Sequence, residues 1–309
     1  IATNRYDIYQ LAREKNISAE YNDFTFKELA FTPECIVYRI SKEKPLTHYL
    51  INQATQRLCH NGTLIISGQK QEGIKSYVDN IGKHIGCKGK LKKLGSHYCA
   101  SLSHFDNHTP LDDKEYTVFQ QPFTDHPQHK QLYSKPGVFG WNKIDKGTEL
   151  LLQTLPKIIK QYQHKISTIL DLGCGYGWIF ANLPNYLDKE TLSNTQITAT
   201  DNNATAIACA EKNALLTTQQ VHVIADDCAT HIAQTFDLIL CNPPFHQGFA
   251  HDKTLTQKFL EQTKQHLKYN GMAIFVVNEF IHFPKEQLQL FTYNDTFIKD
   301  QGFKIIVLR

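Results

Sequence analysis

Residues 169–180 read ILDLGCGYGWIF, an apolar run that passes into glycines at every second position and then into a helix-forming stretch. Such a turn carries no side chains where the chain doubles back, so a ligand can lie against the main chain. The spacing Asp171-x-Gly173-x-Gly175-x-Gly177 differs from the dinucleotide fingerprint, whose last glycine follows after three residues and whose helix N-terminus seats a pyrophosphate. Here an acid leads into the turn. A carboxylate at that place repels phosphate and suits a ligand with an ammonium and a sulfonium group, which points to S-adenosyl-L-methionine as cofactor.

Outward from this turn the same unit recurs. After ISTILDLG come TQITATD (195–201), VHVIADD (221–227), FDLILCN (236–242) and GMAIFVVN (271–278), with helical stretches such as NATAIACAEKNALL between them. Strand-like runs alternating with helices predict an α/β fold with a parallel sheet, and runs apolar on nearly every position predict strands covered on both faces. GFKIIVLR at the end of the sequence reads as a last strand at the sheet edge. Asp201 and Asn202 close the second strand, where a carboxylate can accept both ribose hydroxyls. Asp226 and Asp227 close the third, where one can accept from the adenine amino group while the Cys228 N–H meets a ring nitrogen.

The fourth strand ends in Asn242-Pro243-Pro244-Phe245. An exocyclic amine on a nucleobase is a poor nucleophile because its lone pair is delocalised into the ring, so it needs alignment more than a strong base. The Asn242 side-chain oxygen and the Pro243 carbonyl can each accept one N–H and aim the nitrogen at the sulfonium carbon. Prolines hold φ near −65° and keep those acceptors in place, and Phe245 offers a face for a base taken out of its stack. No nucleophilic residue and no metal is needed for such a transfer.

The chain of 309 residues is long for a single core, so two domains are expected. Residues 1–130 hold a fainter α/β pattern: CIVYRI, a helical stretch near 46–60, then NGTLIISGQKQEGIKSYVDNIG as strand, Gly-rich turn and helix. The Pro- and His-containing stretch 119–137 sets the boundary, giving domains 1–130 and 131–309. Apolar residues at 41% and charged residues at 20% are ordinary for a globular protein; no apolar run is long enough to cross a bilayer, no secretion signal is visible, and a cytoplasmic monomer is expected. The eight cysteines form no Cys-x-x-Cys pair, which predicts free thiols and no zinc site. Net charge is +3, but Lys83–His97 contains five lysines and no acid. Its lysines, among them Lys88, Lys90, Lys92 and Lys93, could follow an RNA backbone, or simply form a solvated face.

DLGCGYG, NPPFHQGF and KPGVFGWNKIDKGTELLLQTLP together resemble the bacterial ribosomal RNA guanine-N2 methyltransferases, on the side of the small-subunit (16S) type, and the resemblance spans nearly the whole chain. It implies two tandem class I (Rossmann-like) modules: an N-terminal one, degenerate and serving as scaffold or RNA-docking surface, and a catalytic C-terminal one with a seven-stranded, mostly parallel sheet. In this reading SGQKQEG (67–73) is the degenerate cofactor turn, since it keeps Gly68 and Gly73 but has no leading acid. The resemblance also puts Phe139 near the target base and Asp145 and Gly147 in a loop closing over the cofactor. His246 follows the motif and either approaches the base or is a satisfied structural histidine. The relatives' Ser-Arg-Asp-Gly-Leu-Asp is Gly140-Trp141-Asn142-Lys143-Ile144-Asp145 here, so Lys143 or Trp141 stands in for the arginine. Partners implied are ribosomal RNA or the small subunit. Alternatives kept open are guanine-N2 methylation of large-subunit RNA, methylation of another sp² amine (adenine N6 or protein glutamine), and a silent RNA-binding protein.

Overall fold

Strands that are apolar on both faces need cover on both faces, and this requirement organises the larger part of the molecule. The computed structural model describes residues 1–26, 31–106, 109–124, 131–163, 165–244 and 253–309, without the side chains of Lys88 and Lys253. Seven strands form one sheet: β1 (Thr168–Leu172), β2 (Gln196–Asp201), β3 (Val221–Ala225), β4 (Phe236–Cys241), β5 (Leu267–Asn278), β6 (Asn294–Asp300) and β7 (Phe303–Leu308). Their spatial order is β6-β7-β5-β4-β1-β2-β3. The five strands β1 to β5 are parallel, and β7 runs antiparallel to both β5 and β6.

Side chains alternate between two apolar layers. Ile169, Leu238, Leu240, Ile274 and Val307 join Leu151 and Leu155 of helix Lys146–Tyr162 and Cys209 of helix Ala204–Ala214. Leu170, Ile239, Cys241, Phe275 and Leu308 join Phe259 and Leu260 of helix Lys253–His266. At the amino edge of the sheet Asp237 accepts hydrogen bonds from the backbone and hydroxyl groups of Ser167 and Thr168 and from Lys268 Nζ, pinning the starts of β1, β4 and β5 together. β2 and β3 extend the sheet on one side of β1, and the β3-to-β4 connection carries the chain back to its other side, so the carboxyl ends of β1 and β4 flank the switch point where open α/β sheets bind ligands.

The tail differs from the single strand predicted. β6 and β7 form a hairpin through Gln301 and Gly302, both with positive φ, and the exposed polar face of β6 gave no strand signal in the sequence. β5 also begins four residues before Gly271, with a register shift opposite Phe236.

The chain divides into two compact units, 24–118 and 1–23 together with 119–309. This division differs from the expected cut at 130 in setting the first 23 residues, which are hydrogen-bonded to the end of β2 (below), with the larger unit. Within 24–118, four strands lie in the order Cys35–Arg39, Thr63–Gln69, His97–Ser103, Lys88–Leu94. The first pair is parallel and the other two pairs are antiparallel. This repeats the order and sense of β4-β5-β7-β6, and Ile51, Leu64, Ile66, Ile81 and Leu102 form its core. The Gly-rich turn 67–73 thus follows the strand in the β5 place, and it is not the counterpart of the turn after β1. The lysine run predicted as a patch is an edge strand of this sheet, unrecognised because only Leu91 and Leu94 break its polar composition.

Candidate active site

At the end of β1 the glycines do what their spacing predicts. Gly173, Gly175 and Gly177 have φ of +76°, +56° and +88°, a region that side chains with a Cβ rarely adopt. A Cβ on Gly173 would lie 3.8 Å from Phe259 and one on Gly175 3.9 Å from Val138, ordinary contact distances, so it is the positive φ and not lack of room that calls for glycine at these two positions. Gly177 is different, because a Cβ there would lie 2.2 Å from the Phe180 ring. Gly177→Ala is expected to cost about 2–5 kcal/mol of folding stability, from the positive φ and the overlap together, as read by chemical denaturation.

Two carboxylates frame the turn. Asp171 is 1% exposed; one oxygen accepts from the Phe180 N–H at 3.2 Å, and the other has no partner among the described residues. Burial pushes its carboxyl up to about 7, with the Phe180 hydrogen bond opposing and Asp201 adding to the rise. Asp201, raised above the usual carboxylate range mainly by burial, accepts from the Gly175 N–H at 2.9 Å on one oxygen and from the Asn203 N–H at 2.9 Å on the other. Each Asp201 oxygen keeps a lone pair, which is what two ribose hydroxyls require.

An orphaned buried carboxylate oxygen beside a turn of three positive-φ glycines fits a ligand with a cationic amino group. In such a fit Asp171 would hold the ammonium and Asp201 two sugar hydroxyls. The sign of the pH dependence follows: a proton on Asp171 must leave before the ammonium binds. Affinity for S-adenosylmethionine is expected to rise roughly tenfold per unit from about pH 5 and level off near pH 7, by calorimetric titration. Without ligand the same group acts oppositely: its contribution to stability is complete below the ordinary carboxylate value and is lost as pH rises through about 7.

The ends of β2 and β3 depart in part from expectation. Asn202 was expected to bind cofactor, but its side chain accepts from the Asp7 N–H at 3.1 Å and donates to the Asp7 carboxylate at 3.1 Å. Asp226 is 1% exposed and accepts from the Asp227 N–H, the His231 N–H and the His231 ring, so it braces the loop instead of facing a ligand. Asp227 is the more accessible acid and is paired with Lys258. Cys228 follows with φ of +58° and a mostly buried side chain. Burial also pushes the Cys174, Cys228 and Cys241 thiols up, so they stay protonated at neutral pH. None of the eight cysteines is in a disulfide.

Opposite the glycine turn, β4 pairs with β1 through Leu240 with Asp171 and Cys241 with Leu172, which sets Asn242 one residue beyond on the same edge. Its amide nitrogen donates to Asp145 Oδ2 at 2.8 Å and to Thr148 Oγ1 at 2.7 Å. Those two acceptors decide the orientation of the amide, because a flipped group would set oxygen against a carboxylate. The buried Asn242 Oδ1 then has no partner among the described residues. A buried acceptor left unmatched costs about 1–3 kcal/mol and persists where a ligand satisfies it. Pro243 is buried and Pro244 exposed, while Phe245 and His246 lie outside the described residues.

Asp145 and Gly147 are not in a loop. Asp145 is the N-cap of helix Lys146–Tyr162, accepting from the Thr148 N–H at 2.8 Å, and Gly147 lies in its first turn against Phe303. The same carboxylate that caps the helix therefore orients Asn242. The sequence shows the cap, an Asp before the run GTELLLQTL, but the partner 97 residues away is visible only in the fold. Phe139 is 60% exposed, next to Val138, which approaches Gly175. Trp141 is partly buried against the core and has a packing role. Lys90, Lys92 and Lys93 are exposed on their strand, and the side chain of Lys88 is not described.

A seven-stranded sheet of this order, with an acid-led glycine turn after β1 and an Asn-Pro-Pro end to β4, defines a class I methyltransferase of the S-adenosylmethionine-dependent kind. Residues 129–307 match the methyltransferase small domain family, and residues 1–96 match its N-terminal domain. Ribosomal RNA small subunit methyltransferase C of Haemophilus influenzae is 31% identical over 275 residues, covering 88% of this chain and 78% of the relative. That of Pasteurella multocida is 29% identical over 280 residues, covering 89% and 80%. The chain belongs to the ribosomal RNA small subunit methyltransferase C family. Its fold is also that of the T. thermophilus 16S rRNA N2 methyltransferase solved with AdoMet and guanosine, with a TM-score of 0.78 and 18% identity over 100% of this chain and 81% of that one. Among the described residues no helix is long and apolar enough to cross a membrane.

Proposed function

We propose that this protein transfers a methyl group from S-adenosylmethionine to the exocyclic N2 amine of a guanine in 16S ribosomal RNA, acting in the cytoplasm as a monomer. The observation that carries the reading is the unmatched, buried Asn242 oxygen held at the carboxyl edge of β4 by Asp145 and Thr148. When bound, the cofactor supplies an electrophilic methyl group on a sulfonium centre. Asn242 Oδ1 and the Pro243 carbonyl each take one N–H of the amine, turning its lone pair out of conjugation and toward the methyl carbon. Asp171 and Asp201 fix the two ends of the cofactor. Phe139, exposed beside the glycine turn, supplies a face for the extruded base.

The lysines of strand Lys88–Leu94 offer unit 24–118 a sequence-independent grip on phosphates, beside the ordinary use of charged residues to blunt a sheet edge. The test is incubation with unmethylated small subunits and labelled cofactor, followed by nucleoside analysis. Label in N2-methylguanosine of 16S RNA is expected; label in N6-methyladenosine, in large-subunit RNA or in protein would overturn the substrate assignment.

A further inference from the structure

Residues 1–23 belong by sequence to the N-terminal family domain, yet they sit in the compact unit that holds the cofactor turn. They are fastened there at both ends. Near the start, the Tyr6 N–H donates to the Asn202 carbonyl at 2.9 Å, the Ala204 N–H donates to the Asn4 carbonyl at 2.8 Å, and Asp7 and Asn202 exchange two hydrogen bonds. At the far end, Asp23 accepts from the Lys135 ammonium at 2.5 Å and from the Thr205 hydroxyl at 2.6 Å.

Between these anchors, Tyr6 and Tyr9 of helix Tyr6–Glu14 meet Tyr21 of the short strand Glu20–Tyr21. The Tyr6 ring lies 5.5 Å from that of Tyr21 and 5.9 Å from that of His231, whose other contact is Asp226. The Tyr21 hydroxyl donates to the Asn202 carbonyl at 3.3 Å, and burial followed by the nearby Asp201 charge holds it well above the usual phenol range. The attachments of Asn4, Tyr6, Asp7 and Tyr21 fall on the segment 202–204 after β2, and the Tyr6 ring meets His231 in the loop after β3, the two places that would take the sugar and the base of the cofactor; Asp23 ties the far end to Lys135 and Thr205. None falls on Asp171 or Asn242.

We propose that residues 1–23 form the cover of the nucleoside half of the cofactor site, with Asp7 as a positioning residue that holds Asn202, and through it Asp201, in the geometry that grips the ribose. The paired bonds between Asp7 and Asn202 stop the Asp201–Asn203 turn from rotating, so the free lone pairs of Asp201 stay aimed outward before the ligand arrives. Asp7 also pairs with Arg5, whose side chain is 61% exposed and whose Nε donates to the same Oδ1 that accepts from Asn202.

The test is calorimetric binding of S-adenosylmethionine and S-adenosylhomocysteine to the whole chain and to two variants. Asp7→Ala is expected to raise the Kd of both ligands about tenfold, the equivalent of one lost hydrogen-bonded lock. Asp7→Asn keeps an acceptor for the Asn202 amide and the main-chain donor while losing the Arg5 pair, so it binds within about twofold of the original. The rise of affinity toward pH 7 set by Asp171 persists in Asp7→Ala, displaced as a whole, because the amino-acid half of the site is untouched. Unchanged affinity in Asp7→Ala, equal weakening in Asp7→Asn, or a flattened pH profile overturns the inference. Absence of binding by the unmutated protein would instead strike at the cofactor site itself.

Discussion

Asn242→Ala lowers the turnover number about 10²- to 10³-fold while the KM for S-adenosylmethionine stays nearly constant. The asymmetry follows from where the side chain points. Its amide nitrogen is committed to Asp145 and Thr148, so the part left for a reacting amine is one oxygen, which in the proposed transfer would matter most as the nitrogen turns pyramidal. Asp145 keeps the Thr148 N–H and hydroxyl after the substitution, so the helix cap survives and stability changes little. Asn242→Asp does not rescue. It supplies acceptors, but it sets a second carboxylate within hydrogen-bond distance of Asp145, and the two repel. Steady-state kinetics with varied cofactor and fixed ribosomal substrate separates the outcomes: a raised cofactor KM with unchanged turnover would remove Asn242 from the reacting amine.

Asp201→Ala has the reverse signature. Loss of an ionised acceptor for two ribose hydroxyls raises the Kd for S-adenosylmethionine about 10²- to 10⁴-fold, with turnover at saturating cofactor changed far less. Asp201→Asn is expected to bind almost as weakly. Both oxygens of Asp201 receive backbone N–H groups, one from Gly175 and one from Asn203, so an amide would turn its own NH₂ toward one of them and distort the glycine turn. Stability of the unliganded protein moves little, because two lost hydrogen bonds are offset by removal of a carboxylate that burial disfavours. Calorimetric titration reads the first effect and thermal unfolding the second; an Asp201→Ala protein that binds cofactor normally would exclude this residue from the ribose.

Much of this site could be read along the chain because its parts are local. A glycine turn declares itself through residues two apart, and strands covered on both faces announce themselves by unbroken apolar runs. The strand-end acids were legible as a set but not individually. Nothing in VHVIADD tells which of Asp226 and Asp227 bends back onto its own loop, since that depends on His231, four and five residues further on, and on the path of the loop. The lysine run and β6 escaped for a related reason: edge strands with one solvated face lack the apolar signal by which buried strands are recognised.

From the order of residues alone came the class of fold, written in the alternation of apolar runs and helical stretches, and the acid-led cofactor turn and the Asn-Pro-Pro end of β4, each encoded within about ten consecutive positions whose backbone preferences are their own. Only the folded chain decided that Asp145 aims Asn242, that Asn202 answers to Asp7, and that the first 23 residues belong with the cofactor turn. These pairings join positions 97 and 195 apart. Hydrogen bonds between such distant positions leave no periodicity in the sequence, since what selects them is the shared edge of one sheet.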